Sequence, residues 1–350
     1  TKTNLFVNRL MGIMMPSMML VMNIISILIV WYGAEQIDLG TLQVGTLLAF
    51  ITYTMQIIMS FLMISLVSVM MPRALVSLKR IREILKKEIS IVEPENPLAF
   101  KEEKKGIVEF KNVSFKYSDA DEAMLKNISF KATPGTTTAF IGSTGSGKST
   151  LVNLIPRFFD ATSGEIYVDG INIKESSIVE LRNRIGYVPQ KGMLFSGTIK
   201  SNLMLGNDNL TEEEMLNAAK VSQSLEFIDA KKDKFESEIS QGGTNVSGGQ
   251  KQRLSIARAI AKNPEIYIFD DSFSALDFKT DAALRKALFK HAKDATVLIV
   301  AQRISTIMNA DNIIVLNEGE IVGSGTHKEL LKSCKIYKEI ALSQLKEEEL

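Results

Sequence analysis

Two long apolar runs open the chain. Residues 10–34 and 39–72 carry no charged side chain, whereas from Arg73 onward charges are frequent. The first run, Leu10 to Ala34, has Asn23 as its only strongly polar member. The second, Leu39 to Pro72, exceeds the roughly 20 residues that cross a hydrocarbon core. Charge-free stretches of this length predict two membrane-spanning helices, over about 10–34 and 45–71, rather than buried helices of a soluble protein. Glu35-Gln36-Ile37-Asp38 is the expected connection. Lys2 and Arg9 precede the first span, and Arg73, Lys79, Arg80, Arg82, Lys86 and Lys87 follow the second. The positive-inside rule then places both ends in the cytoplasm and the acidic turn outside, as for a multi-pass protein of the plasma membrane. Leu75, Leu78, Ile81, Ile84 and Leu85 keep helical spacing beyond the membrane, and Glu93-Pro94-Glu95-Asn96-Pro97 is expected to break that helix.

This divides the chain into a membrane part over 1–89, a linker over 90–105 that includes the charged run Lys101 to Lys105, and a globular domain over 106–350. The apolar runs do not read as a cleaved leader, because the first is too long and a second follows it. A net charge of +1 implies no general attraction to nucleic acid or anionic lipid. The one cysteine, Cys334, excludes an internal disulfide, and His291 and His327 lie too far apart in sequence to propose a metal site. Eleven of the 16 methionines precede Arg73. Lipid-facing or packing side chains account for them more simply than a surface for varied apolar ligands.

The chemistry lies in the second half. Thr137 to Ile141 reads as a short apolar strand, followed by Gly142, Ser143, Thr144, Gly145, Ser146, Gly147, Lys148, Ser149 and Thr150. Leu151, Leu154 and Ile155 then begin a helix. This is a phosphate loop in its strand–loop–helix setting. Glycines let backbone N–H groups turn toward phosphate oxygens, and the helix N-terminus adds favourable partial charge. Lys148 is placed to reach the β- and γ-phosphates, and Ser149 to hold Mg²⁺. Ile266 to Asp270 reads as a buried strand ending in a carboxylate suited to the same ion.

Val246-Ser247-Gly248-Gly249-Gln250-Lys251-Gln252-Arg253 resembles the signature motif of ATP-binding cassette (ABC) proteins, with Val246 where leucine is usual. Other segments match that family in order. Tyr117 resembles the aromatic that stacks on adenine, and Gln190, in Tyr187-Val188-Pro189-Gln190, the glutamine that touches Mg²⁺ and faces the membrane domain. Ser274-Ala275-Leu276-Asp277 resembles the loop that crosses the dimer interface, and Leu194 to Ile199 is typical of exporters. The resemblance implies a phosphate-loop α/β domain with a RecA-like core and antiparallel β and α-helical subdomains, carried behind an α-helical membrane hairpin. It also implies ATP and Mg²⁺ as ligands, and a second half-transporter whose ATP is completed by Ser247, Gly248, Gly249 and Gln250. The hairpin fits the fifth and sixth of an exporter's usual six helices, so a fragment lacking the first four is expected. Membrane lipid and an apolar or amphipathic exported compound are the remaining expected partners.

Two positions depart from the family pattern. Asp271 stands where most active members carry the glutamate that orients the attacking water, and Asp is one methylene shorter. A misplacement of about 1 Å can already cost around a hundredfold. Gln302 stands where the switch histidine contacts the γ-phosphate; an amide donates a hydrogen bond but carries no charge. His327 lies near the end of the domain and is not that histidine. The pattern resembles the degenerate-site subunit of bacterial heterodimeric multidrug exporters, whose own ATP site, here with Asp271, Gln302 and Gln190 at its hydrolytic end, is slow. A homodimer with two slow sites and a regulatory ATP-binding subunit without turnover remain as alternatives.

Overall fold

The computed structural model describes residues 2–100 and 105–345, and the chain divides into two compact units, residues 1–89 and 90–350. The first unit is a helical hairpin of α1 (Lys2–Asp38) and α2 (Val44–Leu85). Both helices are long and apolar enough to cross a membrane. Side chains such as Phe6, Trp31, Phe61 and Met70 are exposed around them, and no residue of α2 is buried. An apolar surface on every side suits lipid rather than water. Hydroxyls inside the helices bond back one turn, as Thr52 does to Leu48 O (2.9 Å) and Ser60 to Gln56 O (2.8 Å). These hydroxyls are satisfied within their own helix and need no solvent. The helices touch at Gly33, where a Cβ would collide with Leu47.

The expected connection Glu35–Asp38 is helical instead, and the turn falls on residues 39–43. Gly40 at φ 72° ends α1, with Thr41 N–H bonded to Gln36 O (3.0 Å) and Gly40 N–H to Ile37 O (3.0 Å). These are the two bonds of a Schellman motif, which ends the helix at a glycine able to turn left-handed cheaply. The helical extension of α2 likewise ends at Leu85, ahead of the Glu93–Pro97 segment expected to break it. Residues 92–98 do another job: Val92 O accepts from Arg157 (3.0 Å), Glu93 accepts from Ile178 N–H (3.0 Å), and Leu98 N–H bonds Glu175 O (2.8 Å). They belong to the second unit. Of the charged run expected in the linker, residues 101–104 lie outside the described residues.

The second unit begins with β1 (Val108–Phe115), β2 (Leu125–Ala132), β3 (Thr137–Gly142) and α3 (Lys148–Leu154). Then come β4 (Ser163–Val168), β5 (Ile171–Asn172), α4 (Ile178–Asn183) and β6 (Ile185–Val188). A mainly helical stretch follows, with β7 (Gly197–Thr198), α5 (Ile199–Met204), α6 (Glu212–Val221), α7 (Leu225–Asp229), β8 (Glu238–Ile239) and α8 (Gly248–Ala261). The chain closes on β9 (Ile266–Asp270), α9 (Phe278–His291), β10 (Thr296–Val300), α10 (Ile304–Ile307), β11 (Asn312–Asn317), β12 (Glu320–Gly325), α11 (His327–Ser333) and α12 (Lys335–Leu342).

Six strands in the order β12-β11-β3-β10-β9-β6 form the central sheet, parallel except for β12. β9 and β10 are buried throughout, as strands covered on both faces must be. Alternate residues divide between two cores. Phe140, Ile268 and Leu298 face a cluster shared with the antiparallel sheet β2-β1-β4-β5, while Ile141, Phe269 and Ile299 face a cluster shared with the helices. The register levels the strand ends, because Phe140 and Asp270 both sit opposite Val300. Everything that follows β3, β9, β10 and β6 therefore emerges along one edge, the usual ligand crevice of such sheets.

Candidate nucleotide-binding site

The phosphate loop leaves β3 under tight backbone constraint. A side chain at Gly142 would run into the carbonyl of Leu316 on β11, and Gly147 takes φ 97° with Leu125 and the Met124 carbonyl against it. Only glycine fits either place. Lys148 is buried and its ammonium curls back on the loop, donating to the carbonyls of Gly142 (2.9 Å) and Ser143 (2.7 Å). Burial pulls its pKa down, opposed by the carboxylates of Asp271 and Asp270. Ser149 Oγ donates to Asp270 Oδ1 at 2.8 Å. Thr150 Oγ1 lies 3.1 Å from the hydroxyl of Tyr117, whose ring packs edge-on against Phe115 and Phe159. Thus the sequence-predicted aromatic sits directly over the start of α3.

The end of the cleft expected to be hydrolytic is held together by one carboxylate oxygen. Asp271 follows β9 in a left-handed backbone (φ 48°), which aspartate tolerates better than most residues. Its Oδ2 accepts from Gln302 Nε2 at 2.8 Å and from Gln190 Nε2 at 3.1 Å. Burial pushes both Asp270 and Asp271 above the usual carboxylate range, against the pull of hydrogen bonds from Ser149 and Gln190 respectively. The cleft is lined by Thr144, Gly145, Gly147, Lys148, Ser149, Thr150, Gln190, Asp271 and Gln302 together with Met124 and Val300. The Ser149 hydroxyl, the Asp270 carboxylate and the Gln190 amide oxygen are hard oxygen donors of the kind Mg²⁺ takes, and they fit that ion.

The signature segment lies apart from this cleft. Ser247 is the N-cap of α8, accepting from Gln250 N–H (3.3 Å), while Gln250 Oε1 accepts from Ser247 N–H (3.1 Å). Gln250 is thus a capping residue as well as a candidate ligand. A Cβ on Gly248 would meet open space, so the helix start is uncovered. Asp277 caps α9, taking Thr280 N–H at 3.0 Å, and Ser274 Oγ bonds back to Asp271 O at 2.8 Å.

The sequence profile of the family described as "ABC transporter" matches residues 125–274. The globular unit is an ABC nucleotide-binding domain. An uncharacterized ABC transporter ATP-binding protein of Mycobacterium tuberculosis is 45% identical over 336 residues, covering 95% of this chain and 57% of the relative. A second such protein, from Bacillus subtilis, is 42% identical over 330 residues, covering 94% and 57%. The solved structure of a bacterial Atm1-family ABC exporter with ATP bound superposes at a TM-score of 0.77 with 31% identity, covering 96% of this chain and 59% of that one. The chain therefore spans little more than half the length of these relatives.

Within the ABC domain the structure adds residues that sequence reasoning did not single out. Gln252, buried on α8, takes Gly192 N–H (2.9 Å) and donates to Pro189 O (3.2 Å). It ties the signature helix to the segment carrying Gln190. Tyr187 donates to Asn153 (2.8 Å) and reaches toward Asp270 Oδ2 (3.5 Å), its hydroxyl pKa raised by burial. Gln252 belongs to the signature motif itself, and that was the only available signal. For Asn153 no local pattern existed.

Proposed function

We propose that this chain is a half-transporter subunit of an ABC exporter, binding Mg-ATP through its own phosphate loop and serving a partner's nucleotide through its signature helix. In this reading Tyr117 stacks on adenine, Gly142 to Thr150 cradle the phosphates, and Ser149, Gln190 and Asp270 hold Mg²⁺. The metal supplies charge neutralisation on the β- and γ-phosphate oxygens. The two apolar helices belong to the lipid-embedded part, with the ABC domain in the cytoplasm and an apolar or amphipathic compound carried outward.

The observation that carries the finer reading is the Asp271 carboxylate held on one oxygen by two neutral amides. A general base must be free to face its water, and efficiency depends on its placement. Here Gln190 and Gln302 fix Asp271 through Oδ2, and neither amide can exchange a proton as an imidazole can. His327 is occupied elsewhere, its Nδ1 2.7 Å from the Tyr337 hydroxyl. This own site binds ATP and turns it over slowly. The open start of α8 supports the complementary half: its donors await a γ-phosphate from a second subunit. The arrangement is a heterodimer with one slow and one competent site.

The test is steady-state ATP hydrolysis by the reconstituted pair, in which Asp271→Glu combined with Gln302→His raises turnover at this site. Vigorous hydrolysis by the chain without a partner supports a homodimer instead. Elimination of all turnover by Asp271→Ala, with Ser247 variants unaffected, reverses the assignment of slow and working sites.

A further inference from the structure

The segment after β10 carries Gln302, yet its own cap is missing. Arg303 stands at the N-cap of α10 and offers no side-chain hydrogen bond to the helix start. The bond comes from the far end of the chain: Gln344 Oε1 accepts from Ile304 N–H at 2.8 Å, and Gln344 Nε2 donates to Gln302 O at 2.8 Å. A carbonyl and the N–H two residues on are the pair that a neighbouring strand would engage, so one planar amide stands in for a β-bridge. It fixes the backbone on both sides of Arg303, and with it the direction in which the Gln302 side chain leaves. Arg285 secures the other end of the segment, donating to Ser305 O (3.0 Å) and Thr306 O (3.2 Å) while paired with Asp281.

The support behind Gln344 is firm. It follows α12, whose Tyr337 and Ala341 are fully buried, and Leu345 packs against the same core. Gln344 itself is exposed, so its two bonds add little to the stability of the fold. Their consequence falls on position: Gln302 Nε2 must lie within reach of Asp271 Oδ2, and the backbone between the buried Ala301 and Ile304 sets where that amide points.

We propose that Gln344 is a positioning residue for Gln302, a strap from the C-terminal helix that aims the switch amide at the γ-phosphate end of the site. The proposal rests on the reading of Gln302 given above. The test uses the full chain in detergent with displacement of a fluorescent nucleotide, comparing affinities for ATP and ADP in Gln302→Ala, Gln344→Ala and the double variant. Gln302→Ala is expected to lower the preference for ATP over ADP by about tenfold, the scale of one charge-assisted hydrogen bond. Gln344→Ala should lower it by a similar factor with ADP affinity unchanged, and the double variant should fall no further, since the two act as one unit. Equal loss of ATP and ADP binding, or additive losses in the double variant, overturns the strap. So does an unchanged ratio in Gln344→Ala when Gln302→Ala has shifted it. An unchanged ratio in Gln302→Ala removes the reading of Gln302 first and the strap with it.

Discussion

The ABC domain carries two surfaces, both proposed above to face a nucleotide, built on different principles. Around the phosphate loop the charged groups have partners within the chain: Lys148 is folded onto the carbonyls of Gly142 and Ser143, Asp270 onto Ser149, and Asp271 onto two glutamines. At the start of α8 Ser247 and Gln250 cap one another, but Gly248 faces open space. One surface is closed by internal contacts, and the other is capped but uncovered. Preorganised donors keep their geometry without a ligand and act fully once charge appears. In the proposed reading the open helix end gains its function when a second surface closes over it.

The comparison breaks most visibly at Lys148. Lys148→Ala should weaken this chain's own ATP binding by roughly 3–5 kcal/mol, the scale of removing one partner from a buried charge pair. Equilibrium binding of ATP to the single chain checks this, and wild-type affinity would dismiss the site. At the other surface, Ser247→Ala removes the α8 cap and should lower turnover of the assembled complex by about a hundred- to a thousandfold. Binding by the isolated chain should stay constant, which is the contrast that separates the two surfaces. Tyr117→Ala should cost about 1–3 kcal/mol in ATP binding, the worth of stacking on one base; titration with ATP and with inorganic triphosphate isolates the adenine share.

The smallest effect concerns protons. Burial raises Asp271, so the folded state holds a proton at pH values where the unfolded chain has lost it. Stability of the metal-free protein therefore falls as pH climbs through the raised value. Asp271→Asn, which keeps an acceptor for both glutamine amides, should flatten that dependence and slightly raise the melting temperature at neutral pH. Thermal melts without Mg²⁺, run upward from the ordinary carboxylate value of about 4 to neutral pH, provide the check.

The phosphate loop, the strand ending at Asp270 and the two apolar helices were legible because each is a local pattern: a strand running into glycines, a short buried run, a long charge-free one. What escaped depends on contacts between distant segments. That Gln190 and Gln302 share one oxygen of Asp271 follows from β6, β9 and β10 lying side by side with level ends, which periodicity does not reveal. The end of α1 was misplaced because the acidic residues looked like a loop, while Gly40, a few residues later, supplied the turn. Gln344 offered no signal at all, being an exposed glutamine past the last helix.

The strand order also governs when the nucleotide site comes into being. β3 is flanked by β11 and β10, both made from residues 296–317, and Thr137 N–H is held by Asp311 across most of the domain. During synthesis the phosphate loop emerges long before its neighbours, as a strand with both edges bare. Pairing over such sequence distances is slow and leaves apolar edges open to the wrong partner. The cleft around the phosphate loop is therefore complete only once β10 and β11, from the last third of the domain, stand on either side of β3.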